Sequence, residues 1–140
     1  GGNFYAPGPV VTAKVTKPAS PIFYGYDADI KDQKMPVRWA TSTLFTVPDR
    51  LKGQILMEFP GGKDGVQSGF MRGSDQVKDR PAIINVPDGS GRVLMFATNP
   101  IWRWQNLGEF RMLYNALINW KQLGLTDEAP PAPPPVPEGQ

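Results

Sequence analysis

The chain reads as an α/β domain, a mixed sheet with covering helices. Three observations predict this. Short runs rich in β-branched and apolar residues recur along the chain, at positions 10–16, 37–47, 54–59, 81–87 and 92–98. Clusters of Gly, Pro and Asp separate them, as turns separate strands. A helical pattern then follows the last run, with apolar residues at spacings of three and four from Leu107 to Trp120. The 140 residues, 40% hydrophobic and 20% charged, suffice for one core and not for two.

In chain order, residues 1–8 (GGNFYAPG) are small and turn-prone, an N-terminal arm ahead of a body at 9–126. VVTAKVT (10–16) alternates apolar and polar residues, which predicts a half-buried strand. The prolines and Gly25 of 18–27 break regular structure, although Ile22, Phe23 and Tyr24 are bulky enough to reach the core. DADIKDQK (27–34) is a polar loop, and VRWATSTLFTV (37–47) is extended. After a turn at 49–53, QILMEF (54–59) is a strand and GGKDG (61–65) a loop. The glycines of GVQSGFMRG (65–73) mark a tight backbone path.

PAIINVP (81–87) and RVLMFAT (92–98) flank Asp88-Gly89-Ser90-Gly91, and Asp-Gly between apolar runs predicts an antiparallel hairpin. RVLMFAT barely alternates, as expected of a central strand covered on both faces. Asn106 and Glu109 have capping-box spacing at the start of the helix. Its predicted core face is Leu107, Phe110, Leu113, Tyr114, Leu117 and Trp120; Arg111, Asn115, Asn119 and Gln122 lie opposite, and Gly124 is a natural C′ residue. On this reading Leu113→Ala costs about 2–5 kcal/mol. Residues 127–140 form a proline-rich tail of polyproline II character.

Histidine and cysteine are both absent. Imidazole or thiolate zinc sites and Ser–His or Cys–His catalysis are therefore excluded, and an enzyme here would have to work with carboxylates, lysine, tyrosine or serine. No cofactor motif is found, and no run of about 18 apolar residues indicates a membrane span. The chain opens on Gly1-Gly2 without the charged-then-apolar start of a signal peptide, as expected of a processed or excised piece. Fifteen basic against ten acidic residues leave the body at +5, while Asp127, Glu128 and Glu138 put −3 on the tail. The basic residues are spread out, so solvated surface is a better reading than nucleic-acid binding.

Trp102-Arg103-Trp104, with Gln105, stands just beyond a strand end, where open α/β sheets bind ligands. Two indoles and a guanidinium can stack on a glycan or clamp a peptide carboxylate. The competing reading is a structural joint, with Arg103 and Gln105 pinning the strand-to-helix turn, and we favour it because aromatics at strand ends more often pack than bind. Asp27, Asp29 and Asp32 lack the glycine and distal Glu of a calcium loop. Gly61-Gly62-Lys63 and Gly89-Ser90-Gly91-Arg92 do not match a phosphate loop. No sequence spacing brings Glu58 together with Asp75 or Asp79 as paired carboxylates. Pro130 and Pro133 have P-x-x-P spacing, although a linker is the commoner explanation.

From Pro81 onward the residues also resemble a known pattern. Gly89-Ser90-Gly91-Arg92-Val93 and the apolar run after it, Asn99-Pro100, Arg103, Gln105, Gly108, Phe110-Arg111 and Asn115-Ala116-Leu117 resemble the end of the C-terminal domain of bacterial zinc carboxypeptidase-like proteins (carboxypeptidase A-like family). Ser68-Gly69, Gly73, Pro81-Ala82 and Pro21-Ile22 with Gly25 extend the likeness upstream. The resemblance implies a flavodoxin-like, class I glutamine amidotransferase-like domain, here only its later part. It also implies an exported parent protein, secreted or periplasmic, whose separate peptidase domain carries the zinc. The pattern has histidine before its first proline, where this chain has Ser20. No zinc ligand, amidotransferase cysteine or nucleophile elbow carries over to any position. The expectation is a non-catalytic accessory domain that packs on a peptidase domain or self-associates through its arm and tail, without nucleic-acid or membrane partners. A glycan- or peptide-binding module is the alternative.

Overall fold

The computed structural model describes residues 4–26, 30, 32–39, 44–61 and 65–125. Six strands form one sheet: β1 (Val10–Val15), β2 (Lys34–Arg38), β3 (Ile55–Phe59), β4 (Val66–Ser68), β5 (Arg80–Asp88) and β6 (Gly91–Phe96). They lie in the order β2-β1-β3-β5-β6, with β4 also paired to β1. One α-helix, α1 (Leu107–Ile118), follows the last strand, and short 3-10 turns occupy Pro21–Phe23, Asp49–Gln54, Ser74–Val77 and Trp120–Gln122. The combination of sheet and helix is as predicted. The mixed character is not, because every described ladder is antiparallel. A parallel pair needs a long crossover, usually helical, and α1 comes after all six strands.

The alternation in VVTAKV buries Val11, Ala13 and Val15 on one face and turns Thr12 and Lys14 outward. Met35 and Val37 of β2 extend that buried face, opposite Ala13 and Val11. β5 is the most enclosed strand, buried from Pro81 to Asn85. The hairpin forms as expected, with Asp88 opposite Gly91 and Gly89 at φ 55°, a left-handed turn position that suits glycine. β6, expected in the centre, is instead the sheet edge, and Val93 and Met95 are exposed on it. The chain leaves β6 for α1, and no later strand among the described residues covers that edge.

The expected arm lies on the body. Tyr5 exchanges backbone hydrogen bonds with Arg72 at 2.8 and 3.0 Å. Phe4 packs on Trp39, which is wholly buried and also stacks against Phe59 at 4.3 Å. Asn85 is the sheet's central polar anchor. It donates to the Leu123 carbonyl (2.7 Å) and accepts from Arg92 Nε (2.8 Å), tying the end of the helical segment to β5.

α1 begins at the expected residue, but it faces the other way. Met112 and Ala116 are buried, whereas Leu107, Tyr114, Leu117 and Trp120 of the predicted core face are exposed and Leu113 is half-buried. At 100° per residue the exposed apolar positions 107, 114, 117 and 118, with half-buried Phe110 among them, share one arc of roughly 100°. The supposed outer residues provide the reason. Asn115 donates to the carbonyls of Ile22 (3.0 Å) and Tyr24 (2.8 Å), and Arg111 donates to that of Gly25. These turn carbonyls gain partners only if the polar side of α1 faces them, and small Ala116 lets the backbones approach. The helix also ends at Ile118, before Lys121 and Gly124, with Asn119 as C-cap.

Candidate functional site

The capping-box residues do not make a box. The Asn106 side chain makes no capping bond to the helix. Its Nδ2 donates instead to the Asn99 carbonyl (2.6 Å) and to Glu109 Oε1 (3.0 Å). Glu109 Oε1 also accepts the backbone N–H of Arg38 at 2.6 Å, which joins the first turn of α1 to the end of β2. Glu109 is only 4% exposed, and burial pushes its carboxyl up to about 7 despite these hydrogen bonds and the Arg38 charge. Among the described residues no group bonds Glu109 Oε2, Asn106 Oδ1 or Arg38 Nε.

These residues line a cleft of about 670 Å³. Val10, Met35 and Pro36 form one wall, Tyr26 and Arg111 another, and Arg38, Gln105 and the first turn of α1 complete it. The Tyr26 hydroxyl accepts the Met112 N–H (3.1 Å) and donates to the Gly108 carbonyl, while the Arg111 guanidinium lies 5.0 Å over its ring. A second cavity of about 610 Å³ is bounded by Lys17, Lys52, Lys78 and Arg80, together with Glu58 and Asp79. The fold thus brings Glu58 and Asp79 to one cavity, although Glu58 is already paired with Lys14 at 3.3 Å.

The tryptophan loop is built as a turn. Arg103 and Trp104 take left-handed backbone conformations, φ 44° and 59°, and the Gln105 N–H donates to the Trp102 carbonyl at 2.9 Å. Trp102 is half-buried, with two guanidinium groups over its ring, Arg38 at 5.2 Å and Arg103 at 4.9 Å from the ring centre. Of the two indoles Trp104, 79% exposed and edge-on to Phe110, is the more open one. Gln105 accepts from the Arg38 guanidinium at 3.2 Å. The Arg103 guanidinium makes no hydrogen bond among the described residues and holds the turn by stacking instead. Arg38 and Glu109 are the residues that sequence reasoning missed as a site. The only signal was Glu109 inside an otherwise apolar helix start, and capping explained it too readily.

Asp27, Asp29, residues 62–64 and the proline tail lie outside the described residues. Among those described, no group of three metal-ligating side chains occurs, and no helix is long and apolar enough to cross a membrane. No family model, curated protein or solved structure matches the chain.

Proposed function

We propose that the chain is a non-catalytic accessory domain that acts by burying the outer face of α1 against another protein surface. The observation that carries this is the exposed apolar arc of α1 with its neighbours Trp104 and Trp120. Leu117 and Ile118 at its two edges are 64% and 78% exposed. Isolated exposed apolar residues are ordinary, but a continuous ridge of leucine, isoleucine and aromatic side chains is characteristic of interfaces. The missing histidine and cysteine support a role without catalysis.

The parentage is part of the same proposal. On the residues from Gly89 to Leu117, the chain is the later part of a flavodoxin-like, amidotransferase-like domain of an exported, secreted or periplasmic, zinc carboxypeptidase-like protein. The partner surface is then the peptidase domain or a second copy. The antiparallel ladders give no support to the doubly wound parallel core of that fold, so the kinship rests on the sequence pattern. A photo-crosslinking residue placed at Leu117 in cells that make the protein tests the reading. A discrete crosslinked product is expected from Leu117 and not from a control at exposed Gln67; equal yields from both positions would refute it.

A further inference from the structure

We infer that the cleft at the start of α1 binds a free α-amino acid in its zwitterionic form, with an apolar side chain. The inference does not rest on the outer-face proposal, since its polar groups Glu109, Asn106 and Arg38 lie outside the exposed apolar arc, although Leu107 borders both. It also moves the ligand reading from the tryptophan loop to residues that the loop supports.

Four observations carry it. First, Glu109 Oε2 and Asn106 Oδ1 are buried acceptors that no group among the described residues satisfies, and Glu109 is 96% buried while lining the cleft. Buried polar groups in folded proteins find partners, so once Glu109 is ionised two neighbouring acceptors call for a donor. An ammonium group carries three N–H donors and suits a carboxylate beside an amide oxygen. Second, two arginines, Arg38 and Arg111, line the same cleft, and planar guanidinium groups are the side chains best matched to a carboxylate. Third, both charges belong to this cleft. The Arg38 backbone N–H donates to Glu109 Oε1 at 2.6 Å, and the guanidinium of the same residue is near enough to favour the ionised Glu109 carboxyl. An α-amino acid presents opposite charges on groups joined through one carbon, the spacing such a region calls for. Fourth, Val10, Met35, Pro36 and Leu107 offer apolar contacts, and about 670 Å³ falls within the range of small-molecule sites.

A simple anion fits less well. It would meet the Arg38 guanidinium but leave both acceptors unpartnered and place a second negative group beside Glu109. A simple amine has the converse fault. The zwitterion is the one small class that meets both sets of groups.

Calorimetric titration of the chain with L-leucine, N-acetyl-L-leucine and L-leucinamide tests the inference. L-Leucine is expected to bind. Each blocked form, lacking one charge, is expected to bind at least about tenfold more weakly, a factor equivalent to about 1.4 kcal/mol. Glu109→Gln is expected to weaken L-leucine by a similar factor and to leave N-acetyl-L-leucine unchanged. Arg38→Gln is expected to weaken L-leucine and N-acetyl-L-leucine alike. Amide chemical shifts of the native chain avoid any dependence on variant folding. With L-leucine, Gly108, Glu109 and Arg38 should move before the exposed Leu117 and Ile118. No binding of L-leucine, binding of all three compounds alike, or shifts confined to the outer face of α1 would each overturn the assignment.

Discussion

Replacing Glu109 by glutamine changes one charge at the join between α1 and β2 and leaves the shape almost intact. The amide oxygen of Gln can still accept from the Arg38 backbone N–H and from Asn106 Nδ2, the two bonds that Glu109 Oε1 makes at 2.6 and 3.0 Å. What is lost is a carboxyl whose burial raises it from 4.5 to about 7. At about 1.4 kcal/mol per unit, ionising that group inside the fold costs about 3 kcal/mol relative to the unfolded chain. The folded state holds its proton to higher pH than the unfolded state. This contribution to stability is therefore fully present below about 4.5 and is lost as pH rises through about 7. The chain has no histidine, so no imidazole titrates across the same window. Urea denaturation at pH 5 and pH 8 is the assay. The native chain should lose about 2–3 kcal/mol between the two, whereas Glu109→Gln should change little and exceed the native stability at pH 8. A native chain equally stable at both pH values, or a variant that keeps the full loss, would refute the reasoning.

Four further substitutions test the packing. Met112→Ala, at the buried centre of α1, should destabilise by about 2–5 kcal/mol, while Ile118→Ala on the outer face should stay within about 0.5 kcal/mol in the same denaturation experiment. Asn85→Ala should cost about 1–3 kcal/mol, because it leaves both the Leu123 carbonyl and Arg92 short of a buried partner; protection of the Leu123 region in hydrogen exchange should fall with it. Gly61→Ala should cost about 1–3 kcal/mol in a thermal melt, since Gly61 sits at φ 71° and an added methyl would lie 2.5 Å from the Lys78 backbone.

The strands and the hairpin were legible because their signals are local. Alternation in VVTAKV and the Asp88-Gly89 turn need no knowledge of the rest of the chain. The helix was legible in place and extent at its start, but not in orientation. An apolar stripe shows that a face exists, not what covers it. Here the opposite face wins because Asn115, Arg111 and Glu109 meet the carbonyls and amide of distant segments, contacts between residues 71 to 93 positions apart. The edge position of β6 was hidden for a related reason. An unbroken apolar run fits a central strand, and only the sheet order shows that no described strand lies beyond it. The cleft was least legible of all. Arg38 and Glu109 are 71 positions apart, and no spacing rule joins them. The tryptophan loop was found, and read as a joint, because its composition is conspicuous over a few residues.

The central claim is that the outer face of α1 is made to be covered. Light scattering across a concentration series of the chain tests it most directly, beside a Leu117→Lys/Ile118→Lys variant. Without its partner, the native chain should associate reversibly as concentration rises. The variant should keep the mass of one chain and the same thermal midpoint, because both side chains already face solvent. A native chain that remains single at the highest attainable concentration, or a variant that melts far below it, would contradict an outward apolar face.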